Sequence, residues 1–377
     1  MSRGAADPSA TASNFIDTPG ANVLDAPALD VSLNTARQLL EARFGLEATL
    51  EPLAGERDRN FRATAADGRR YLLKFTHPAE RETVTDFQVR ALTRLAERDP
   101  TLPIPRVIDA LDGDPAPIHR LEDGRISRVR LSTFVAGTPL AGRVPSRDFR
   151  RTLGVWLARI DDALADFHHP VADHAMPWDL QHADALMPQT DSLIEAEERQ
   201  LIRQHLSDFR DRLRPRLARL PRQPIHNDLN GHNVLFDSDA RAGKTAPDRP
   251  IGIIDFGDML FAPRIVDLAV AAAYQMNDPD DPLAGALALI AGYHRQSALR
   301  TEEVELLRGL IETRLAMAIT VSTHRASRHP ENAAYLLRNT AGSWRALRHC
   351  ASLPAATFER RLSAALDDTT IAGGPHA

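Results

Sequence analysis

The stretch "IHNDLNGHNVLF", residues 225 to 236, gathers His226, Asp228, Asn230 and Asn233 in a polar turn and then runs directly into apolar, strand-like residues. After "NVLF" comes a polar loop, "DSDARAGKTAPDRP" (237–250), and then a second apolar run, "IGIIDFGD" (251–258). Two short apolar runs joined by turn residues predict a hairpin. Its open end carries Asp228 and Asn233 on one arm and Asp255 on the other. The reading of the whole chain turns on whether these side chains merely cap a turn or form a reactive group.

Phosphoryl transfer needs a carboxylate near an acceptor hydroxyl and hard oxygen ligands that hold Mg²⁺ against nucleotide phosphates. The hairpin offers both kinds of group. Asp228 and Asn233 are separated by four residues, the spacing of a kinase catalytic loop, and "DFG" at 255–257 matches the metal-binding triplet. Either piece alone is common by chance. Their occurrence in order, behind a strand Lys, is specific. That Lys is Lys74 in "RRYLLKF", where Leu72, Leu73 and Phe75 surround it with apolar side chains and an unpaired ammonium would be costly. Phosphates are its expected partner, with an acidic residue on the following helix to orient the amine. Between the first two strands, "LAGERDRNF" (53–61) takes the place of a phosphate-covering turn with a single glycine, so Arg57, Arg59 and Asn60 are expected to supplement its backbone donors.

Outward from the hairpin, the chain changes character twice. Residues 1–22 are rich in Ala, Ser, Gly and Pro and predict a loose tail. "VSLNTARQLLEARFG" places Leu33, Ala36, Leu39, Leu40 and Phe44 on one helical face before Gly45. "LEATLEPL", "NFRATAA" and "RRYLLKF" then predict a small antiparallel sheet, followed by a helix over "TVTDFQVRALTRLAER" and strands near "RVIDAL" and "ISRVRLSTFVAG". Beyond residue 134 the pattern is helical: "RDFRRTLGVWLARIDDALADF", "AEERQLIRQHLSDFRDRLRPRLARL" with Pro215 as a break, and four apolar-periodic stretches after the hairpin. The expected organisation is a nucleotide-binding lobe over 23–134 and a catalytic, substrate-binding lobe over 135–377.

Composition excludes several classes. With 43% apolar and 26% charged residues the chain is globular, and a net charge of −5 gives no footprint for nucleic acid. Cys350 is the only cysteine, which rules out internal disulfides and thiolate zinc sites and suits a reducing, cytoplasmic setting. No apolar run reaches the roughly 20 residues that a membrane span requires, and no membrane partner is expected.

These motifs resemble the aminoglycoside phosphotransferase and choline kinase-like superfamily, which includes homoserine kinase. "GERDRNF", "LARIDDALADFHHP", "PWDL", "HNDLNGHNVL", "DFGDM" and "RHPENAAYLLRN" resemble in particular hydroxylysine kinase and the kinase domains fused to class-III aminotransferases. The likeness spans about residues 30–350. It implies an α+β, protein-kinase-like two-lobed fold with a small antiparallel-sheet N-lobe and a mainly helical C-lobe. It also implies ATP or GTP as co-substrate, with Mg²⁺ as cofactor. Asp228 would be the base for the acceptor hydroxyl, His226 a brace of its loop, Asn233 and Asp255 the metal ligands, and Lys74 the contact to the α- and β-phosphates. "LSTFVAG" (131–137) would be the interlobe hinge, with Thr133 and Val135 meeting the nucleotide. Trp178, Asp179, Asn230 and Asp258 are the candidate acceptor contacts. A separate PLP-dependent phospholyase or aminotransferase is the implied partner enzyme.

Two positions depart from the pattern. Gln88 in "FQVRAL" stands where many relatives carry the Glu that pairs with the strand Lys, so Glu82 or Asp86 is expected to substitute, or hydrogen bonding alone holds the amine. Asp161 in "LARIDDAL" stands where many aminoglycoside kinases have His, which favours the hydroxylysine kinase branch. The leading functional expectation is a small-molecule kinase acting on a hydroxyl of an amino acid or amino alcohol, with 5-hydroxylysine in front. Homoserine, choline-like and aminoglycoside acceptors are the alternatives within that chemistry, and a catalytically silent nucleotide-binding relative is the alternative outside it.

Overall fold

The computed structural model describes residues 29–55, 57–171, 174, 176–237 and 249–368. The tail expected over 1–22 and most of the loop expected over 237–250 lie outside the described residues. The chain divides into two compact units: one runs to Ala136 and takes in His169–Pro177, the other holds Gly137–His168 and everything from Trp178.

The first unit opens with α1 (Leu33–Phe44). The Ser32 hydroxyl accepts a hydrogen bond from the Thr35 N–H at its start, and Gly45 ends it with φ of 62°, a left-handed conformation suited to glycine. Ala36, Leu39 and Leu40 are buried as the helical period predicts, whereas Leu33, in the first turn, is 42% exposed. Strands β1 (Ala48–Leu53), β2 (Arg59–Ala65) and β3 (Arg70–Phe75) follow, then α2 (Glu82–Arg98), β4 (Val107–Ile108), β5 (Ile118–Arg120) and β6 (Ile126–Thr133). All pairings are antiparallel, in the order β1-β2-β3-β6-β4 with β5 on β6. Alternation along β3 sends Tyr71, Leu73 and Phe75 into a core shared with α1, Phe61, Val129 and Leu131. Lys74 therefore lies on the other face. The register aligns Asn60, Lys74 and Arg130 across β2, β3 and β6, so three polar side chains cross that face in a row.

The second unit contains β7 (Thr138–Pro139), α3 (Arg147–Leu164), a 3₁₀ segment Leu180–Ser192, α4 (Ala196–Asp208) and α5 (Arg214–Leu217). One π-helical turn, Phe209–Leu213, carries the chain from α4 to α5, so Pro215, which lacks an N–H, sits in the first turn of a new helix rather than breaking an old one. Then come β8 (Gln223–Ile225), β9 (Val234–Phe236), β10 (Pro250–Ile253) and β11 (Leu260–Ala262). The expected hairpin is β9 with β10, paired Val234 to Ile253, and β7 lies along the other edge of β9. A second ladder pairs β8 with β11. Both polar loops, 226–233 and 254–259, are thus gripped by strands at either end.

The helical remainder is α6 (Arg264–Tyr274), α7 (Pro282–Gln296), α8 (Thr301–Arg328), α9 (Ala333–Leu336), α10 (Thr340–Ser352) and α11 (Ala355–Leu366). The stretch "NAAYLLRNTAGSWRALRHC", expected to be helical throughout, is two helices with a turn at 337–339, where Asn339 favours a cap over a helix interior. Among the described residues no helix is long and apolar enough to cross a membrane.

Helices α3 and α7 meet backbone to backbone. A Cβ on Gly154 would lie 2.0 Å from the Leu289 carbonyl oxygen, and one on Gly292 would lie 2.0 Å from that of Arg151. Gly342 in α10, by contrast, faces open space. Gly154→Ala should therefore lower the melting temperature, costing about 1–3 kcal/mol by overpacking, whereas Gly342→Ala should raise it by the helix-propensity gain of up to about 1 kcal/mol. Thermal melts of the two variants check the opposite signs.

Candidate active site

In the second unit the loop 226–233 hangs from one buried carboxylate. Asp267, on the first turn of α6 and fully buried, accepts the backbone N–H groups of His226 and Asn227, each at 2.8 Å. Asn227 takes a left-handed φ of 64°, which Asn tolerates better than most residues. Its side-chain amide N–H donates to the Asp258 carbonyl at 3.3 Å. Beneath, Asp161 of α3 is also fully buried and accepts from the Tyr293 hydroxyl at 2.6 Å. Burial, and then the neighbouring Asp267 charge, push the Asp161 carboxyl well above its usual range. Burial also raises the Asp267 carboxyl, with His226 and the two backbone N–H groups working to lower it.

His226 is wholly enclosed. Its Nδ1 accepts from the Asp228 N–H at 3.2 Å, which leaves the proton on Nε2 to donate to the Ile254 carbonyl at 3.2 Å, and the ring meets Phe256 edge-on at 4.7 Å. The imidazole thus ties the Asp228 loop to the 254–259 loop without reaching a ligand.

Asp228 is the convergence point. Its Oδ2 accepts from Asn230 Nδ2 and from Asn233 Nδ2, each at 2.8 Å, while its carbonyl accepts from Asn233 Nδ2 at 2.9 Å. Oδ1 faces the Arg314 guanidinium at 3.9 Å, beyond hydrogen-bonding distance. Burial raises the Asp228 carboxyl to about 6, and Arg314 is the largest influence pulling it back down. Arg314 is in turn held by the Trp178 carbonyl at 3.1 Å and the Tyr274 hydroxyl at 3.0 Å.

Asn233 gives both its bonds to Asp228 through Nδ2, which leaves its Oδ1 as the atom able to ligate a hard cation. Its carbonyl accepts the Ile254 N–H at 2.9 Å, which brings Asp255 to the same end of the β9–β10 ladder. Asp255, with φ of 62°, is exposed, and among the described residues its Oδ1 accepts the Gly257 N–H, at 3.2 Å. One amide oxygen and one carboxylate with spare lone pairs suit a hard divalent ion that takes its remaining ligands from phosphates and water.

The other expected acceptor contacts are more dispersed. Asp179 is buried and spends its carboxylate on the N–H and side-chain amide of Gln181, capping the 3₁₀ segment, at 2.9 and 3.2 Å. Trp178 contributes its carbonyl to Arg314, and its Nε1 is buried with no hydrogen-bond partner. Asp258 touches the loop through its carbonyl. Arg264 pairs with Glu303 at 2.8 Å, whereas Asp267 holds the backbone amides of His226 and Asn227.

In the first unit the expected anchor of Lys74 is corrected. Glu82 pairs with Arg128 at 2.7 Å, Asp86 with Arg90 at 2.9 Å and His169 at 3.0 Å, and Gln88 accepts from Arg130 at 2.8 Å. Lys74 Nζ instead meets Asp58 Oδ2 at 3.1 Å. The acid comes from the turn between β1 and β2 and not from the helix, because Arg130, aligned beside Lys74, occupies Gln88. The Asp58 carboxyl is buried, which works to raise it, yet Lys74, Arg130 and the His77 N–H together hold it below the usual range. That turn folds tightly over Asn60: a Cβ on Gly55 would lie 2.5 Å from the Asp58 carbonyl oxygen and 2.7 Å from Asn60 Nδ2. Among the described residues the buried Asn60 Oδ1 has no hydrogen-bond partner. Arg57 is half-buried in the same turn and takes the Leu29 N–H on its carbonyl at 3.1 Å. At the end of β6, the Thr133 N–H and hydroxyl both pair with the Arg106 main chain, at 2.8 and 2.9 Å. Val135 lies just beyond, half-buried.

The sequence model of the phosphotransferase enzyme family (APH) matches residues 49–302, a span that holds Lys74, the Asp228 loop and Asp255. The chain belongs to this family. The phosphotransferase expected from the hairpin is thereby borne out, as is the protein-kinase-like α+β fold. This phosphotransferase is 24% identical to hydroxylysine kinase of Mus musculus over 327 residues, 83% of this chain and 87% of that protein. It is 28% identical to homoserine kinase of Pseudomonas aeruginosa over 285 residues, 70% of this chain and 80% of that one. Among solved structures, a microcompartment-associated aminopropanol kinase superimposes with a TM-score of 0.63 at 21% identity, covering 89% of this chain and 99% of that one.

Arg314, Tyr274 and Asp58 escaped the sequence reading. Arg314 had a signal: a lone guanidinium inside "LIETRLAMAI" is a buried charge that needs a partner.

Because burial raises the Asp228 carboxyl to about 6, the folded chain keeps a proton there that the unfolded chain has released by about pH 4. The resulting stability is full below that value and is lost as pH rises through about 6. Asp228→Asn should therefore stabilise the protein at pH 8, by about 1–3 kcal/mol, and change little at pH 4. Arg314→Met should move the Asp228 titration, followed by carboxyl NMR, above its wild-type value. A downward movement would contradict the assigned role of Arg314.

Proposed function

We propose that this phosphotransferase transfers the γ-phosphoryl group of ATP or GTP to a hydroxyl of an amino acid or amino alcohol, as a hydroxylysine kinase does. The observation that carries the reading is the arrangement at Asp228. Its Oδ2 is saturated by Asn230 and Asn233, and its Oδ1, with no hydrogen bond, is the oxygen left to receive the proton of an acceptor hydroxyl. The acceptor oxygen attacks the γ-phosphorus, the bond to the bridging oxygen breaks, and the nucleoside diphosphate leaves. Arg314 is a positioning residue that keeps the buried carboxylate ionised near neutral pH.

Asn233 Oδ1 and the Asp255 carboxylate are the groups that would hold Mg²⁺, which when bound neutralises charge on the phosphates. Lys74, paired with Asp58, would contact the α- and β-phosphates. Arg57 and Asn60, the latter through its side-chain N–H, belong to the turn over the phosphates, and Thr133 and Val135 belong to the segment that meets the base. Similarity to hydroxylysine kinases over most of the chain supports the acceptor class. Similarity to homoserine kinases keeps shorter hydroxy amino acids within it. The silent-relative alternative rested on Gln88, and it loses its motive because Asp58 supplies the carboxylate that Gln88 lacks.

A nucleotide-release assay with Mg²⁺, ATP or GTP and a panel of hydroxylysine, homoserine and amino alcohols should show acceptor-dependent turnover. A panel with no stimulated turnover favours the binding-protein alternative. Asp228→Asn should lower kcat by about 10²–10⁴-fold with nucleotide affinity nearly unchanged. Asp58→Asn should weaken nucleotide use, seen as a higher nucleotide KM, while Glu82→Gln should leave it unaltered.

A further inference from the structure

Within the second unit a cavity of about 310 Å³ opens against the catalytic loop. That volume is at the low end of the roughly 300–1,000 Å³ of small-molecule sites. Asn230, Arg314 and Tyr274 line one part of it, and two of them, Asn230 and Arg314, touch the Asp228 carboxylate. A second part is built around Asn277, which closes the turn after α6. The Asn277 side chain donates to the Arg143 carbonyl at 3.2 Å, and Arg345 of α10 reaches the Asn277 carbonyl at 3.5 Å, the outer limit of a hydrogen bond. Arg143 and Arg345 both line the cavity and are exposed. Among the described residues, the Arg143 guanidinium has no ion pair or hydrogen bond, and Arg345 has only that long one.

The charge of the lining is one-sided. Three arginines, Arg143, Arg314 and Arg345, line a cavity that no Asp or Glu lines among the described residues. Two further polar atoms of lining residues are buried without hydrogen-bond partners: Gln275 Oε1, an acceptor, and Arg314 Nε, a donor. Unused buried groups of this kind cost stability unless a ligand completes them. A polycationic acceptor would meet repulsion here. A carboxylate would find guanidinium forks suited to it, and an ammonium group would find a neutral amide oxygen.

Resting on the kinase reading, we propose that the cavity selects its acceptor by a carboxylate gripped by Arg143 and Arg345, with the hydroxyl directed to Asp228. The acceptor is then a hydroxy amino acid, and amino alcohols without a carboxylate are poor substrates. Arg143 and Arg345 determine specificity and take no part in proton or phosphoryl transfer.

The test compares hydroxylysine and homoserine with their carboxamides, matched pairs that differ only in the negative charge. Affinity is measured by titration calorimetry on the full chain with a non-hydrolysable nucleotide and Mg²⁺, and steady-state kinetics are run in parallel. The wild type should bind at least one acid about tenfold more tightly than its amide. The double variant Arg143→Gln/Arg345→Gln should erase that preference, raising KM for the acid about tenfold while kcat for the amide stays within about twofold. Both side chains are exposed, so a thermal melt should register no change. Equal binding of acid and amide by the wild type, no binding of either acid, or a preference that survives the double substitution overturns the inference. Binding preference and its loss without any phosphorylation would overturn the kinase reading alone and leave the carboxylate site standing.

Discussion

The active loop depends on one buried carboxylate and the two backbone amides it accepts. Asp267 takes the N–H groups of His226 and Asn227 at 2.8 Å inside the second unit, where an unmatched donor or acceptor would be costly. This contact fixes a turn whose next residue is Asp228. The left-handed Asn227 follows from it, since both amides can point at one carboxylate only if the chain reverses there. Asp161 and the Tyr293 hydroxyl bonded to it lie nearby, and burial raises both the Asp161 and the Asp267 carboxyls.

From that anchor the electrostatics of the site can be followed outward. Desolvation favours a protonated Asp228, and Arg314 opposes it. Arg314 can be buried because the Trp178 carbonyl and the Tyr274 hydroxyl share its guanidinium. Asn230 and Asn233 occupy one carboxylate oxygen and leave the other open, which gives the group a direction as well as a charge. In the first unit a comparable balance is built from different residues: Lys74 is neutralised by Asp58, and Arg130, its neighbour across the sheet, is met by Gln88. A Glu at position 88 would compete for two cations with Asp58 already present. Gln88 is therefore a neutral partner of Arg130, and the carboxylate beside Lys74 is that of Asp58.

Sheet and helix boundaries were legible wherever period and punctuation agreed. The apolar run in "RRYLLKF" marked the strand that carries Lys74, and Gly45 closed α1. The hairpin bearing Asn233 and Asp255 followed from two apolar runs and a polar loop. Short elements such as β5 and α9 carry too few residues for a period to register.

What the amino-acid sequence determined by itself was the chemistry: an ordered Lys, Asp, Asn and Asp at kinase spacing, because spacing along a chain is a local property. Tertiary structure alone decided which groups surround that chemistry. Asp58 reaches Lys74 from a neighbouring turn, Arg314 approaches Asp228 from a helix 86 positions later in the chain, and Asn277 meets both the Arg143 carbonyl and the Arg345 side chain. Such partners are selected by burial and by the need to match each buried charge, which no local pattern encodes.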